Sequence, residues 1–145
     1  YIPDENFRSG VYAYHPDGSP YSRDGLLQFG GDGIFEADAE GITQFTCPAD
    51  GQGDDGRGWL VVSDQKGDAS DFEFFDRLSW AHLGRLQLEG VTNTDGIAST
   101  QQALPAHPAG LFAAVDNDTS VALISWDRIL EATGLSCEGE ALPAR

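Results

Sequence analysis

Four short acidic segments carry the chemistry that this sequence could perform: Asp4-Glu5, Asp38-Ala39-Glu40-Gly41, Asp64-Gln65 and Thr94-Asp95-Gly96-Ile97. Each places oxygen-bearing side chains at the end of a run that reads as β-strand. Hard divalent cations such as calcium take about six to eight oxygen ligands from carboxylates, carbonyls and water. Asp38 and Glu40 stand two residues apart, so extended backbone points them the same way, and Gly41 lets the chain approach a shared ion closely. Each segment by itself reads first as a solvated turn in a chain this acidic. Together they point to one convergent site, because strand ends in a radial array of sheets face a common axis.

Other site chemistries find less support. His15, His82 and His107 read as turn or loop residues with no Ser or Cys nucleophile motif beside them, so a hydrolytic triad has no basis. A phosphate-cradling Gly-rich loop with its Lys is absent. Gly51-Gln52-Gly53-Asp54-Asp55-Gly56 has the composition of a calcium loop but lacks the EF-hand spacing and its distal Glu, and reads as a hairpin. Asn117-Asp118-Thr119 matches a glycosylation sequon, a pattern short enough to recur by chance. Cys47 and Cys137 are far apart with no metal-ligand spacing, which favours a single long-loop disulfide and an oxidising compartment over zinc; two buried free thiols are the alternative.

The elements that must position these groups are strands. Apolar or alternating runs near 10–14, 26–29, 41–46, 59–63, 72–75, 84–88, 110–115 and 121–125 are split by turn residues such as His15-Pro16-Asp17-Gly18, Gly31-Asp32-Gly33 and Asn117-Asp118. Tyr1-Ile2 reads as a further strand end, and the start at Tyr1 suggests that chain once preceded it. One short C-terminal helix is expected over 126–133, with Ser125 as N-cap, Asp127 in the first turn and Gly134 as the stop. The fold class is therefore all-β. Strands at this spacing suit a sandwich, a barrel or four-stranded propeller blades, and in the last case the ring needs more chain than these 145 residues.

Charge narrows the partners. With 24 Asp plus Glu against 8 Lys plus Arg, the formal charge is −16, while 40% hydrophobic content suffices for a packed core. Such a surface repels nucleic acid and anionic membrane and attracts divalent cations. The seven Arg and single Lys66 form no cluster along the sequence, and no apolar run is long enough for a membrane helix.

The order of the motifs resembles the C-terminal part of the β-propeller phytases, the calcium-dependent alkaline phytases. The series runs Tyr1-Ile2-Pro3-Asp4-Glu5, Asp38-Ala39-Glu40-Gly41-Ile42, Gly58-Trp59-Leu60-Val61-Val62-Ser63-Asp64-Gln65, Phe75-Asp76-Arg77 and Asn93-Thr94-Asp95-Gly96-Ile97. It ends with Gly110-Leu111-Phe112-Ala113-Ala114 and Ser125-Trp126-Asp127-Arg128-Ile129, so that order and spacing extend over nearly all 145 residues.

That resemblance implies four-stranded antiparallel blades of a six-bladed β-propeller. Residues 1–145 would form a single region of about three blades, half of the ring. It implies Ca²⁺ ligands at Glu5, Asp38, Glu40, Gln65 and Asp95, with Glu5 and Glu40 at the catalytic cluster. The implied activity is phosphomonoester hydrolysis of phytate by metal-activated water, in a secreted or periplasmic protein. The phosphate-gripping Lys and Arg would belong to an N-terminal propeller half or companion chain. Two other readings stand beside it: a non-catalytic calcium-stabilised propeller module for assembly or carbohydrate binding, and an acidic β-sandwich without metal. The Arg-His-Gly motif of histidine acid phosphatases is absent.

Overall fold

A computed structural model of the chain describes residues 1–5, 10–31, 33–48 and 53–138. Asp32, Gly51 and Gln52, in two of the turns read above, lie outside the described residues.

The chain is mostly β, with three antiparallel sheets and one helix among the described residues. β1 (Ile2–Pro3), β2 (Val11–Tyr12) and β3 (Gln28–Phe29) form the first sheet, in that order. The second runs β4 (Asp38–Thr46), β5 (Gly58–Gln65), β6 (Asp71–Asp76), β7 (His82–Gln87), each paired with the next. The third has β9 (Leu111–Asp116) between β8 (Ile97–Thr100) and β10 (Ser120–Ser125). The helix α1 (Trp126–Thr133) follows β10 directly.

The middle sheet is the core. Alternation sends Phe45, Trp59, Val61, Phe72 and Phe74 to one face, where they meet Phe112 and Ala114 of β9 and Trp126 and Ile129 of α1. It sends Leu60, Val62 and Phe75 to the other, against Val11, Ala13 and Phe29 of the first sheet. A strand covered on both sides needs an unbroken apolar run, and Trp59-Leu60-Val61-Val62 is one. Trp126 is fully buried, with its ring 4.8 Å from that of Phe45 and 5.7 Å from that of Phe112. Burying each such side chain contributes about 1.5–3 kcal/mol.

Local chemistry sets the helix limits as expected, with one difference. Gly134 takes the left-handed conformation (φ 67°), and its N–H donates to the Leu130 carbonyl. Ser125 holds the N-cap position, but its hydroxyl donates to Asp127 Oδ2 at 2.9 Å instead of capping a backbone N–H. The disulfide joins Cys47, just past β4, to Cys137, just past α1, across 90 residues, and so ties the helical end to the middle sheet.

Several strand limits differ from the sequence reading. β4 starts at Asp38, so Asp38 and Glu40 belong to the strand and not to the loop entering it; a bulge between Ala39 and Ile42 accommodates them. β5 extends through Asp64 and Gln65, β7 begins at His82, and β8 was not anticipated.

The Asp54-Asp55 loop is held by the chain's own cations. Arg77 donates to both Asp54 oxygens at 3.0 and 2.6 Å, and Arg57 Nε donates to Asp55 at 2.7 Å. Chiefly through Arg77, and then through the Gly56 N–H, the Asp54 carboxyl falls from 3.8 to about 2. Its contribution to stability is complete above pH 3.8 and is lost as pH falls toward about 2. Asp54→Asn is therefore expected to flatten the loss of stability across that window in acid-unfolding curves. An unchanged slope would contradict the pairing.

Candidate functional site

Two strands and two connections bring the predicted acidic residues into one neighbourhood. Asp38 on β4 lies opposite Gln65 on β5 in the antiparallel register. Gln65 Nε2 donates to Asp95 Oδ1 at 2.6 Å, which links the middle sheet to the connection entering β8. Glu40 shares the strand with Asp38, and Ala39 between them is buried, so both carboxylates point away from the core. Glu5, at the exit of β1, and Asp95 and Asp38 all act on the Glu40 carboxyl.

Gly41 makes the approach possible. A Cβ at this position would lie 2.6 Å from the Ile97 nitrogen and 2.9 Å from the Asp95 carbonyl oxygen, so any side chain would push β4 off the segment carrying Asp95. Its N–H donates to Ser63 Oγ at 2.8 Å, which anchors the bulge to β5.

Electrostatics distinguish this neighbourhood from the rest of the acidic surface. Partial burial raises the Glu40 carboxyl first, and the negative charges of Glu5, Asp95 and Asp38 raise it further. Asp118, in the β9–β10 turn, is raised by a hydrogen bond with the Asp95 carboxyl and by its charge. Among the described residues, no Arg, Lys or His is among the groups acting on either carboxyl. Asp54 and Asp55 have Arg77 and Arg57, and Glu36 has Arg85 and Lys66. Sequence reasoning saw Asp118 only as part of a sequon and turn. The signal it lacked was the pairing of β9 with β8, which sets that turn beside Asp95.

A second acidic group takes Asp64 out of the convergent set and adds Asp71 and Glu73, which the sequence did not single out. Asp64, Asp71 and Glu73 are all buried, and their carboxylate oxygens lie within 4.8 Å of one another, the one such trio among the described residues; none of the predicted ligands belongs to it. Its partners are internal. Asp64 accepts from the Glu36 and Ala37 backbone N–H groups at 2.9 and 2.8 Å. Asp71 is met by Lys66 Nζ at 2.7 Å, Arg85 Nη1 at 3.0 Å and Gln87 Nε2 at 3.1 Å. Glu73 pairs with His82 Nε2 at 2.6 Å and Arg85 Nε at 3.3 Å. Lys66 and Arg85 thus converge on Asp71 and Glu36, although they are remote in sequence and read there as unclustered. His82 likewise sits in a strand and not in a loop. Cations from the chain itself stand where a metal would, and the trio reads as a structural ionic core beneath the first sheet.

No protein-family model matches this chain, and comparison with curated proteins gives no match either. No helix among the described residues is long and apolar enough to cross a membrane.

Proposed function

We propose that this chain supplies the carboxylate half of a calcium-dependent phosphatase acting on phytate or a similarly anionic phosphate ester. In this reading the three sheets are about three blades of a six-bladed propeller. The observation that carries it is the set of like charges around Glu40, which no described cation neutralises. A site that gathers Glu5, Asp38 and Asp95 around Glu40, with no cation among the described residues acting on Glu40, is suited to a divalent one. The donor set fits calcium: it consists of carboxylates and one amide carbonyl, with neither thiolate nor imidazole.

Glu5 and Glu40 would hold calcium at the reacting centre, with Asp38, Gln65 and Asp95 as further ligands. With Nε2 committed to Asp95, the Gln65 carbonyl oxygen is the atom left to ligate. Bound calcium supplies positive charge for the phosphate oxygens and lowers the pKa of a coordinated water. Gly41 keeps β4 close to Asp95, and the Asp38–Gln65 register holds the two strands' donors side by side. Lys66 and Arg85 are engaged by carboxylates, so the cations that grip substrate phosphate would come from an N-terminal propeller half or companion chain. The disulfide accords with an oxidising compartment, secreted or periplasmic.

Titration with calcium chloride and an assay of phosphate release test this reading. Glu40→Gln is expected to weaken calcium binding by about tenfold or more, since ligand charge sets affinity, while Asp55→Asn leaves it unchanged. Equal effects from both variants would reduce the proposed ligands to surface turns. Phosphate release from phytate should be near background for the chain alone and appear with the companion half. Strong turnover by the chain alone contradicts the half-site, and calcium binding without turnover in the full assembly favours the non-catalytic module.

A further inference from the structure

The candidate ligands stand on segments that repel one another. The negative charges of Glu5, Asp95 and Asp38 oppose that of Glu40. Asp38 and Glu40 belong to β4, whereas Asp95 belongs to the connection entering β8. Something must hold these segments side by side before an ion arrives. The end of the β5–β6 hairpin, from Asp64 to Ser70, is bonded to both of them.

Toward β4 the tether is Asp64, which is fully buried. One of its oxygens accepts the Glu36 N–H at 2.9 Å and the other accepts the Ala37 N–H at 2.8 Å, so the two residues before Asp38 are fixed to the end of β5. Only a carboxylate can do this, since an amide presents one acceptor where two N–H groups must be met. Toward β8 the tethers lie in the turn. The Lys66 carbonyl accepts the Asn93 N–H at 2.9 Å, and Ser70 Oγ accepts the Thr94 N–H at 2.9 Å. Asn93 takes the left-handed conformation (φ 45°), which Asn tolerates, and the two successive N–H groups both donate to the hairpin. Ser70 and Thr94 are fully buried, and Thr94 directly precedes Asp95.

On the calcium reading above, on which this rests, we propose that Asp64 and Ser70 are positioning residues for the metal site, Asp64 holding the segment of Asp38 and Glu40 and Ser70 holding that of Asp95. Neither touches the ion in this assignment; each acts through the backbone of the segment it holds. Calcium affinity depends on ligand charge and on the rigidity of the site. Groups that orient metal ligands typically carry about 10–100-fold of the affinity.

Titration of the chain with calcium chloride, and with terbium(III) as a luminescent substitute, tests this. Asp64→Asn and Ser70→Ala should each weaken calcium binding by about tenfold or more. Ser70→Ala changes no charge, so its effect cannot come from lost electrostatic attraction. The luminescence lifetime in light against heavy water counts the waters that bound terbium retains, and this count should rise in both variants as water replaces a displaced carboxylate. Ile129→Val, a destabilising change in the core cluster away from the hairpin, should alter neither reading. A wild-type affinity or water count in either variant, with native circular dichroism, overturns the proposal and leaves the calcium site standing. An equal loss in Ile129→Val overturns it too, since affinity would then follow global stability. Should Asp64→Asn not fold, Ser70→Ala alone decides. Absence of calcium binding by the unaltered chain removes the calcium reading itself, and the positioning roles with it.

Discussion

Replacing Cys47 and Cys137 with alanine is expected to lower the unfolding free energy by about 4–5 kcal/mol, the largest effect of any change considered for this chain. The bond closes a loop of 90 residues, and the entropy it removes from the unfolded chain grows with the logarithm of that length. The loop includes the whole middle and third sheets beyond β4 and the helix, so the β5–β6, β6–β7, β8–β9 and β9–β10 pairings all form inside it. Cys47 and Leu135 are both buried in the cluster containing Phe45 and Trp126, and the bridge holds the chain after α1 against that cluster. Urea unfolding of the oxidised protein, the reduced protein and the double variant measures the effect. Reduced and double-variant proteins should share one lowered midpoint. A midpoint equal to that of the oxidised protein would show that the bridge constrains nothing the core does not already fix.

The extent to which the sequence disclosed this structure differs by element, and the differences have causes. The helix was legible to the residue because its signals are local: Asp127 in the first turn, Ile129 and Thr133 on one side, and Gly134 in the one backbone region that favours it. β5 was legible because a strand covered on both faces must be continuously apolar. By contrast, Ile97-Ala98-Ser99-Thr100 has small and polar side chains, and it becomes a strand through its pairing with β9, a tertiary event. Asp38-Ala39-Glu40 has poor strand propensity and is drawn into β4 by Asp64 and Gln65 across from it.

The candidate site divides in the same way. Glu5, Asp38, Glu40, Gln65 and Asp95 could be proposed from acidic segments at strand ends, and Glu40 feels three of the other four. Asp118 could not, because nothing local says which loop its hairpin turn overhangs. The ionic core was hidden for another reason. Asp71-Phe72-Glu73-Phe74 shows alternation, with acids on one face and rings on the other, but an acid-bearing face normally reads as solvent. Here it is buried, and the residues that make this tolerable, Arg85 and Gln87, lie on β7 opposite Glu73 and Asp71.

That burial gives Arg85 its weight. Arg85→Ala removes the guanidinium shared by Glu36, Asp71 and Glu73 and leaves two buried carboxylates with reduced compensation. Breaking a fully buried pair in this way costs about 3–5 kcal/mol. The Arg85 side chain is 40% exposed, so water and salt screen part of the loss, and about 2–3 kcal/mol is expected. Lys66 retains Asp71, and His82 retains Glu73, which sets a floor under the damage. Arg85→Lys should recover only part of the loss, since one ammonium cannot reproduce a planar fork that reaches three carboxylates. The deficit should also depend on pH. Burial already raises the Glu73 carboxyl above 4.5, and removing Arg85 raises it further, so the folded variant holds a proton that the unfolded chain releases. Stability bound to that proton is present below pH 4.5 and is lost as pH rises through the folded value. Urea unfolding of both proteins at acidic and neutral pH should therefore show the smaller difference on the acid side. A deficit of equal size at both would mean that Arg85 acts through the packing of its aliphatic stem and not through its charge.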